Sequence, residues 1–163
     1  MKRLVSLLLL GLAAACSPQP AAEATQTAPS AETASPQRHP ESGLAVIPLS
    51  VTTASGTHHF RAEVAATAAE QQKGMMFRTA MAPDEAMIFP NAVPQMRSFW
   101  MKNTVIPLDI IYIGPDRRVL NIVPGEPYSL ESLPSAGPVI NVLEIAGGRA
   151  AELGIKPGDV VAW

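Results

Sequence analysis

The sequence predicts an α+β domain: a mainly antiparallel, barrel-like sheet of short strands with two small helices. Three observations carry this. Short apolar runs recur along the chain, each bounded by Gly, Pro, Asp or Ser. Only two stretches carry helix start and stop signals, and both are brief. One run, Leu108 to Ile113, is apolar on both alternating faces except at Asp109, as a strand in mid-sheet would be.

The folded part does not begin at the first residue. Met1 to Ala15 holds Lys2 and Arg3, then an apolar run, then three alanines, the pattern of a signal peptide. The run is shorter than the roughly 20 residues a membrane-spanning helix needs. Cys16 follows, the one cysteine among 163 residues. Leu12-Ala-Ala-Ala-Cys16 resembles a bacterial lipobox, with its Leu one place further from the Cys than the pattern prefers. The resemblance implies that Cys16 carries lipid and becomes the mature N-terminus, since a lone cysteine cannot form an internal disulfide. Two or more acyl chains make such an anchor stable. Ser17 in place of Asp implies the periplasmic face of the outer membrane.

From Cys16 to Gly43 the chain changes character. Pro18, Pro20, Pro29, Pro36 and Pro40 are interleaved with Ala, Ser, Thr and Gln, without aromatics or periodicity. Such a stretch buries too little apolar surface to offset its ordering entropy, and reads as a disordered tether. A random coil of roughly 27 residues reaches about 30 Å. The globular domain is therefore expected over 44–163, an ordinary single-domain size. The formal charge is −2, from 12 basic and 14 acidic residues. Loss of Lys2 and Arg3 leaves 10 bases against 14 acids, a charge near −4. That excludes nucleic acid as an electrostatic partner.

Within the domain, Leu44 to Val51 alternates weakly and, with Pro48 inside it, is expected at a sheet edge. Thr57 to Ala66 alternates well after a turn at Ser55-Gly56. Thr67 and Glu70 form a capping box for a helix over 68–73, stopped by Gly74. Strands are expected at Ala86–Phe89, Met96–Lys102 and Leu108–Ile113. Gly114-Pro-Asp-Arg117 is a hairpin turn into Val119–Val123, ended by Pro124-Gly125. Val139–Ile145 is a further strand. Gly147-Gly148 opens a second helix, Arg149–Leu153, closed by Gly154. A turn at Lys156–Asp159 leads to a last strand, Val160–Trp163.

Five strings occur in order: Gln72–Arg78 (QKGMMFR), Ala86–Phe89 (AMIF), Phe99–Ile113 (FWMKNTVIPLDIIYI), Asn141–Gly148 (NVLEIAGG) and Lys156–Asp159 (KPGD). Together they resemble the exported bacterial and archaeal family called Domain of Unknown Function 192, over about Thr57 to Trp163. The resemblance implies an α+β domain and export, and leaves the biochemical activity open.

The residues that could carry chemistry cluster near the third string. Asp109 lies in an interior strand, where a carboxylate must be paired or hydrogen-bonded. It is expected to tie down the Asn103–Pro107 link, or to line a small polar pocket with Lys102 and Asn103. Arg97 stands close by in sequence. Arg78 can hold a carboxylate such as Asp109 or Glu144 bidentately, and Glu144 poses the same burial question as Asp109. For Arg78 and Glu144 buried structural pairing is expected. Met75, Met76, Met81, Met87, Met96 and Met101 are dense enough to suggest soft Cu(I) ligands. Their aromatic neighbours point to core packing instead. Trp100 is expected to be buried. His58 and His59, adjacent on a strand, point to opposite faces and cannot both hold one ion.

Serine-hydrolase, zinc-protease, phosphate-loop, C-x-x-C and dinucleotide signatures are absent from the sequence. No catalytic residue, metal or cofactor is assigned. The favoured reading is a membrane-tethered lipoprotein that binds a small polar ligand or another envelope protein. Arg78, Arg97, Lys102, Asn103, Asp109 and Glu144 are its candidate ligand-binding residues. Two alternatives stand beside it: a hydrolase using Asp109 and Glu144 on a cell-wall substrate, and a copper protein using the Met-rich segment.

Overall fold

The structure, a computed structural model, describes residues 37–163. The signal segment, Cys16 and most of the tether lie outside the described residues. Nine strands and two short helices are present among the described residues. Seven strands form one sheet in the order β6-β5-β8-β3-β2-β1-β9.

The strand β1 (Val46–Thr53) turns at Ser55 into β2 (Gly56–Val64), pairing antiparallel from Val46↔Glu63 to Thr53↔Gly56. The turn closes through the Thr53 hydroxyl, 2.8 Å from that of Ser55. Pro48 does not make β1 an edge strand. β9 (Val160–Ala162) pairs with it only at Ser50–Thr52, so the missing N–H of Pro48 falls beyond that ladder.

Helix α1 (Ala68–Lys73) forms where the capping box places it. The Glu70 amide donates to the Thr67 hydroxyl (3.2 Å), and the Thr67 amide donates to Glu70 Oε2 (2.7 Å). The helix lets β3 (Glu85–Gln95) run parallel to β2, the one parallel pairing in the sheet. β3 is longer than its apolar core Ala86–Phe89, with a register shift between Pro90 and Gln95 where its pairing to β8 breaks. The expected strand Met96–Lys102 shrinks to β4 (Ser98–Phe99), paired with β7 (Leu133–Pro134). The chain turns at once: the Thr104 amide donates to the Met101 carbonyl (3.0 Å), and Asn103 takes φ +57°.

β5 (Leu108–Ile113) is buried throughout, between β6 (Val119–Gly125) and β8 (Val139–Ala146). β6 ends against Met101: a Cβ on Gly125 would lie 2.5 Å from Met101 Sδ, so the Met101 side chain would have to shift. Helix α2 (Arg149–Leu153) follows β8. The fold is thus α+β and mostly antiparallel, but the sheet is not a closed barrel. Its edge strands meet only at the Arg118–Val160 bridge and the bonds beside it, such as Val161 N–H to the Arg117 carbonyl (2.9 Å).

Each face of the sheet carries its own core. Leu49, Phe60, Ile88, Ile111, Leu143, Ile145 and Val161 fill one. The other holds Met75, Met87, Phe89, Met101, Ile110, Tyr112 and Val142. The second face is covered by irregular chain, and the candidate site lies within that cover.

Residues 37–43 belong to the fold, although the tether was expected to run to Gly43. The amide of Gly43 donates to the His39 carbonyl (2.8 Å), and Arg38 bridges Ala45. Pro40 suits the turn as well as it suits a tether, and this is why composition misplaced the boundary.

Candidate functional site

Three irregular segments cover the second face, centred on residues 74–81, 97–107 and 126–135. Backbone bonds lace them together. Phe77 N–H donates to the Asn103 carbonyl (2.8 Å), Tyr128 N–H to that of Thr104 (3.0 Å) and Met101 N–H to that of Ser129 (2.9 Å). Phe77 and Tyr128 take φ of +65° and +63° there, a conformation costly for bulky residues. Their side chains, with those of Trp100 and Leu130, are exposed.

Glu144 lies beneath this cover. Its cross-strand partners are Met87 and Ile110, neither of which offers a donor. It is 5% exposed, and its Oε2 has no hydrogen-bond partner among the described residues. Loss of solvent pushes its carboxyl up to about 8. Burial also raises the hydroxyl of Tyr112, helped by the charge of Glu144, and that hydroxyl donates to the Leu133 carbonyl.

Glu144 reaches the floor of a cleft of about 130 Å³. Gln72, Met75, Met76, Arg97, Trp100 and Thr104 are among its walls. Arg97 lies over the Phe99 ring, 5.4 Å from its centroid, and donates to Asn91 Oδ1 (3.0 Å) and Gln71 Oε1 (3.2 Å). Phe99 meets Phe89 edge-on at 5.0 Å. Outside the cleft a shelf of about 360 Å³ is formed by Ala69, Gln72, Lys73, Met76, Trp100, Lys102 and Asn103. Lys102 Nζ sits 5.1 Å above the Trp100 ring. Trp100 is 50% exposed, against the expectation of burial. The turn at Met101–Thr104 sends Met101 inward and leaves Trp100 as the lip between cleft and shelf.

The six candidate residues divide into four places. Glu144 and Arg97 share the cleft; Lys102 and Asn103 share the shelf. Asp109 joins neither, because it faces the other side of the sheet and its Oδ2 accepts the Ala150 amide at the start of α2 (2.8 Å). It therefore fastens α2, not the Asn103–Pro107 link. Asp109 and Glu144 share no cleft, and the pair a two-carboxylate hydrolase would use is not formed.

Arg78 is buried in an ion-pair cluster. Its terminal nitrogen meets both oxygens of Glu63 at 2.9 and 3.0 Å, and its Nε lies 3.3 Å from Glu41. Ser42 donates to the same Glu63, and His39 Nε2 stands 3.5 Å from Glu85. Pairing was expected for Arg78, but with Asp109 or Glu144. The partners Glu63 and Glu41 were missed because Glu63 is buried only once residues 37–43 fold over it.

Met75, Met87 and Met101 are buried, Met81 packs against the core, and Met96 is exposed. Gln71 was also missed; nothing in its local pattern separates it from the solvated residues of α1.

A sheet-dominated α+β domain with a buried carboxyl under an aromatic lip is the class of protein that this fold and site define. The chain belongs to the Domain of Unknown Function 192 family, DUF192, described as an uncharacterized ACR and matched over residues 50–163. The first four strings that carried the resemblance supply every cleft-lining residue except Gln71, Arg97 and Ser98. Similar solved structures include a protein of unknown function from Novosphingobium aromaticivorans DSM 12444. It is 57% identical over 84% of this chain and 99% of that one, with a TM-score of 0.77. Another is a candidate transcription regulator from Sinorhizobium meliloti 1021, 36% identical over 73% of this chain and 94% of that one, with a TM-score of 0.71. No functionally curated protein matches the chain.

Proposed function

We propose that this protein is a membrane-tethered envelope lipoprotein whose domain binds a small polar ligand in the Glu144 cleft. One observation carries the binding reading: a buried carboxyl with an unpartnered oxygen at the floor of an open cleft. A carboxyl kept without a partner costs stability, and such groups concentrate where a ligand completes them. The rest of the cleft suits a polar ligand, because Gln72, Arg97, Ser98 and Thr104 share its walls with Met76 and Trp100. A partner protein of the envelope would use the same cleft by inserting one side chain past Trp100. The export reading rests on Lys2, Arg3, the apolar run and Cys16.

A screen of small polar fragments by amide NMR tests the cleft, with wild type and Glu144→Leu side by side. Fragments are expected to move the Gln72–Met76, Trp100 and Thr104 amides in wild type and to leave the variant still. A library that moves none of these amides, or moves them equally in both proteins, ends the reading.

A further inference from the structure

We infer, resting on the reading that the Glu144 cleft binds a ligand, that its ligand is an organic carboxylate. Its carboxylate lies between Glu144 and Arg97, and its apolar body rests on Met76 and Trp100. Charge argues first. Cleft and shelf together hold Lys73, Arg97 and Lys102, and no acid besides Glu144. This basic mouth stands on a chain whose formal charge is −2. Such a mouth attracts an anion and repels an ammonium group.

Hydrogen bonding argues next. With its carboxyl raised to about 8, Glu144 keeps its proton at neutral pH and becomes a donor. Met87 and Ile110 beside it offer no acceptor. A carboxylate oxygen would complete it with a short charge-assisted bond. Arg97 has spent one bond on Asn91 and one on Gln71. A guanidinium has five N–H donors, so others remain for the second oxygen. A phosphate would ask for more donors than these two side chains supply.

Shape agrees. The inner cleft of about 130 Å³ suits a small head group, and the shelf of about 360 Å³ suits a larger body. Met76 and Trp100 line both, so the two are continuous.

The test uses the full chain carrying Trp163→Phe, so that Trp100 is the only tryptophan left to report. Hexanoate, hexanamide and hexylammonium share one body and differ in head group. Each is titrated at several pH values on either side of the Glu144 transition, with and without Glu144→Gln. Hexanoate is expected to bind, and hexanamide more weakly. Hexanoate affinity should fall roughly tenfold per pH unit above about 8, as the donor proton is lost. Glu144→Gln, which keeps a donor but cannot ionise, should bind hexanoate without that fall. Tighter binding of hexylammonium, equal binding of hexanamide, or a pH profile shared with the variant overturns the carboxylate. So does silence from hexanoate. Each of these leaves the cleft reading to its own fragment screen.

Discussion

Asp109 and Glu144 stand one register step apart on neighbouring strands and face opposite sides of the sheet. Asp109 pairs across to Ile145, and Glu144 to Ile110. One carboxylate is used by the backbone of α2, and the other has an oxygen no described residue satisfies. The same residue class at the same depth thus has opposite consequences for stability.

For Asp109, removal should hurt. Gly148 at the N-cap of α2 has no side chain to offer, so Asp109 caps the helix from another strand. Asp109→Ala should cost about 1–2 kcal/mol, the scale of a lost N-cap. Asp109→Asn, which keeps an acceptor oxygen, should cost less. Denaturant unfolding reads both, and cleft ligands should shift wild type and Asp109→Asn alike.

For Glu144, pH sets the sign. Burial raises the carboxyl from 4.5 to about 8, so the folded chain holds a proton that the unfolded chain has released. The stability linked to this group is fully present below about 4.5, declines as pH rises, and levels off above about 8. Glu70, lowered by the Thr67 backbone amide, and Asp84, lowered by Arg61, act in the opposite sense and below that window. Glu144→Gln should flatten the decline and gain a few kcal/mol over wild type near pH 8. Parallel stability curves for the two proteins would show that Glu144 ionises freely in the fold.

The buried pair Arg78–Glu63 behaves differently again. Both side chains are almost fully buried, at 6% and 1% exposed, so removing Arg78 takes from buried Glu63 its nearest cation. Arg78→Met should cost about 3–5 kcal/mol. Adding Glu63→Gln should recover part of that loss, because no charge then stays stranded. A double-mutant cycle by denaturation measures the coupling.

What the sequence disclosed follows from how local each signal is. The capping box at Thr67–Glu70 and β5, apolar except at Asp109, are written in adjacent residues, and both form as read. The burial of Glu63 depends on residues 37–43 folding back, which no window around Glu63 contains. The face taken by Asp109 was not legible, because β5 is apolar on both sides of it. Nor was its partner on α2, since the two lie 41 positions apart. Trp100 was misread because bulk was taken for burial, while the turn after it decides the direction of the ring.

The lipid anchor is open to a direct test. Metabolic labelling with a palmitate analogue should mark the wild-type chain, and Cys16→Ser should abolish the label and free the protein from membranes. An unlabelled wild type recovered in the soluble periplasm would refute the anchor and leave the domain's chemistry untouched.

Trp100 separates fold from function most sharply. A core aromatic cut to Ala costs about 3–5 kcal/mol. At 50% exposure, with Lys102 and not the core on one ring face, Trp100 has far less burial to lose. Trp100→Ala should therefore cost about 1 kcal/mol or less, on the scale of an exposed cation–π contact. Its neighbour Met101, 1% exposed and packed on Gly125, should cost about 2–5 kcal/mol when cut to Ala. The order should reverse in binding: Trp100→Ala should lose most of the affinity for a cleft ligand. A Trp100→Ala protein that melts as low as Met101→Ala would return the ring to the core and take the lip from the cleft.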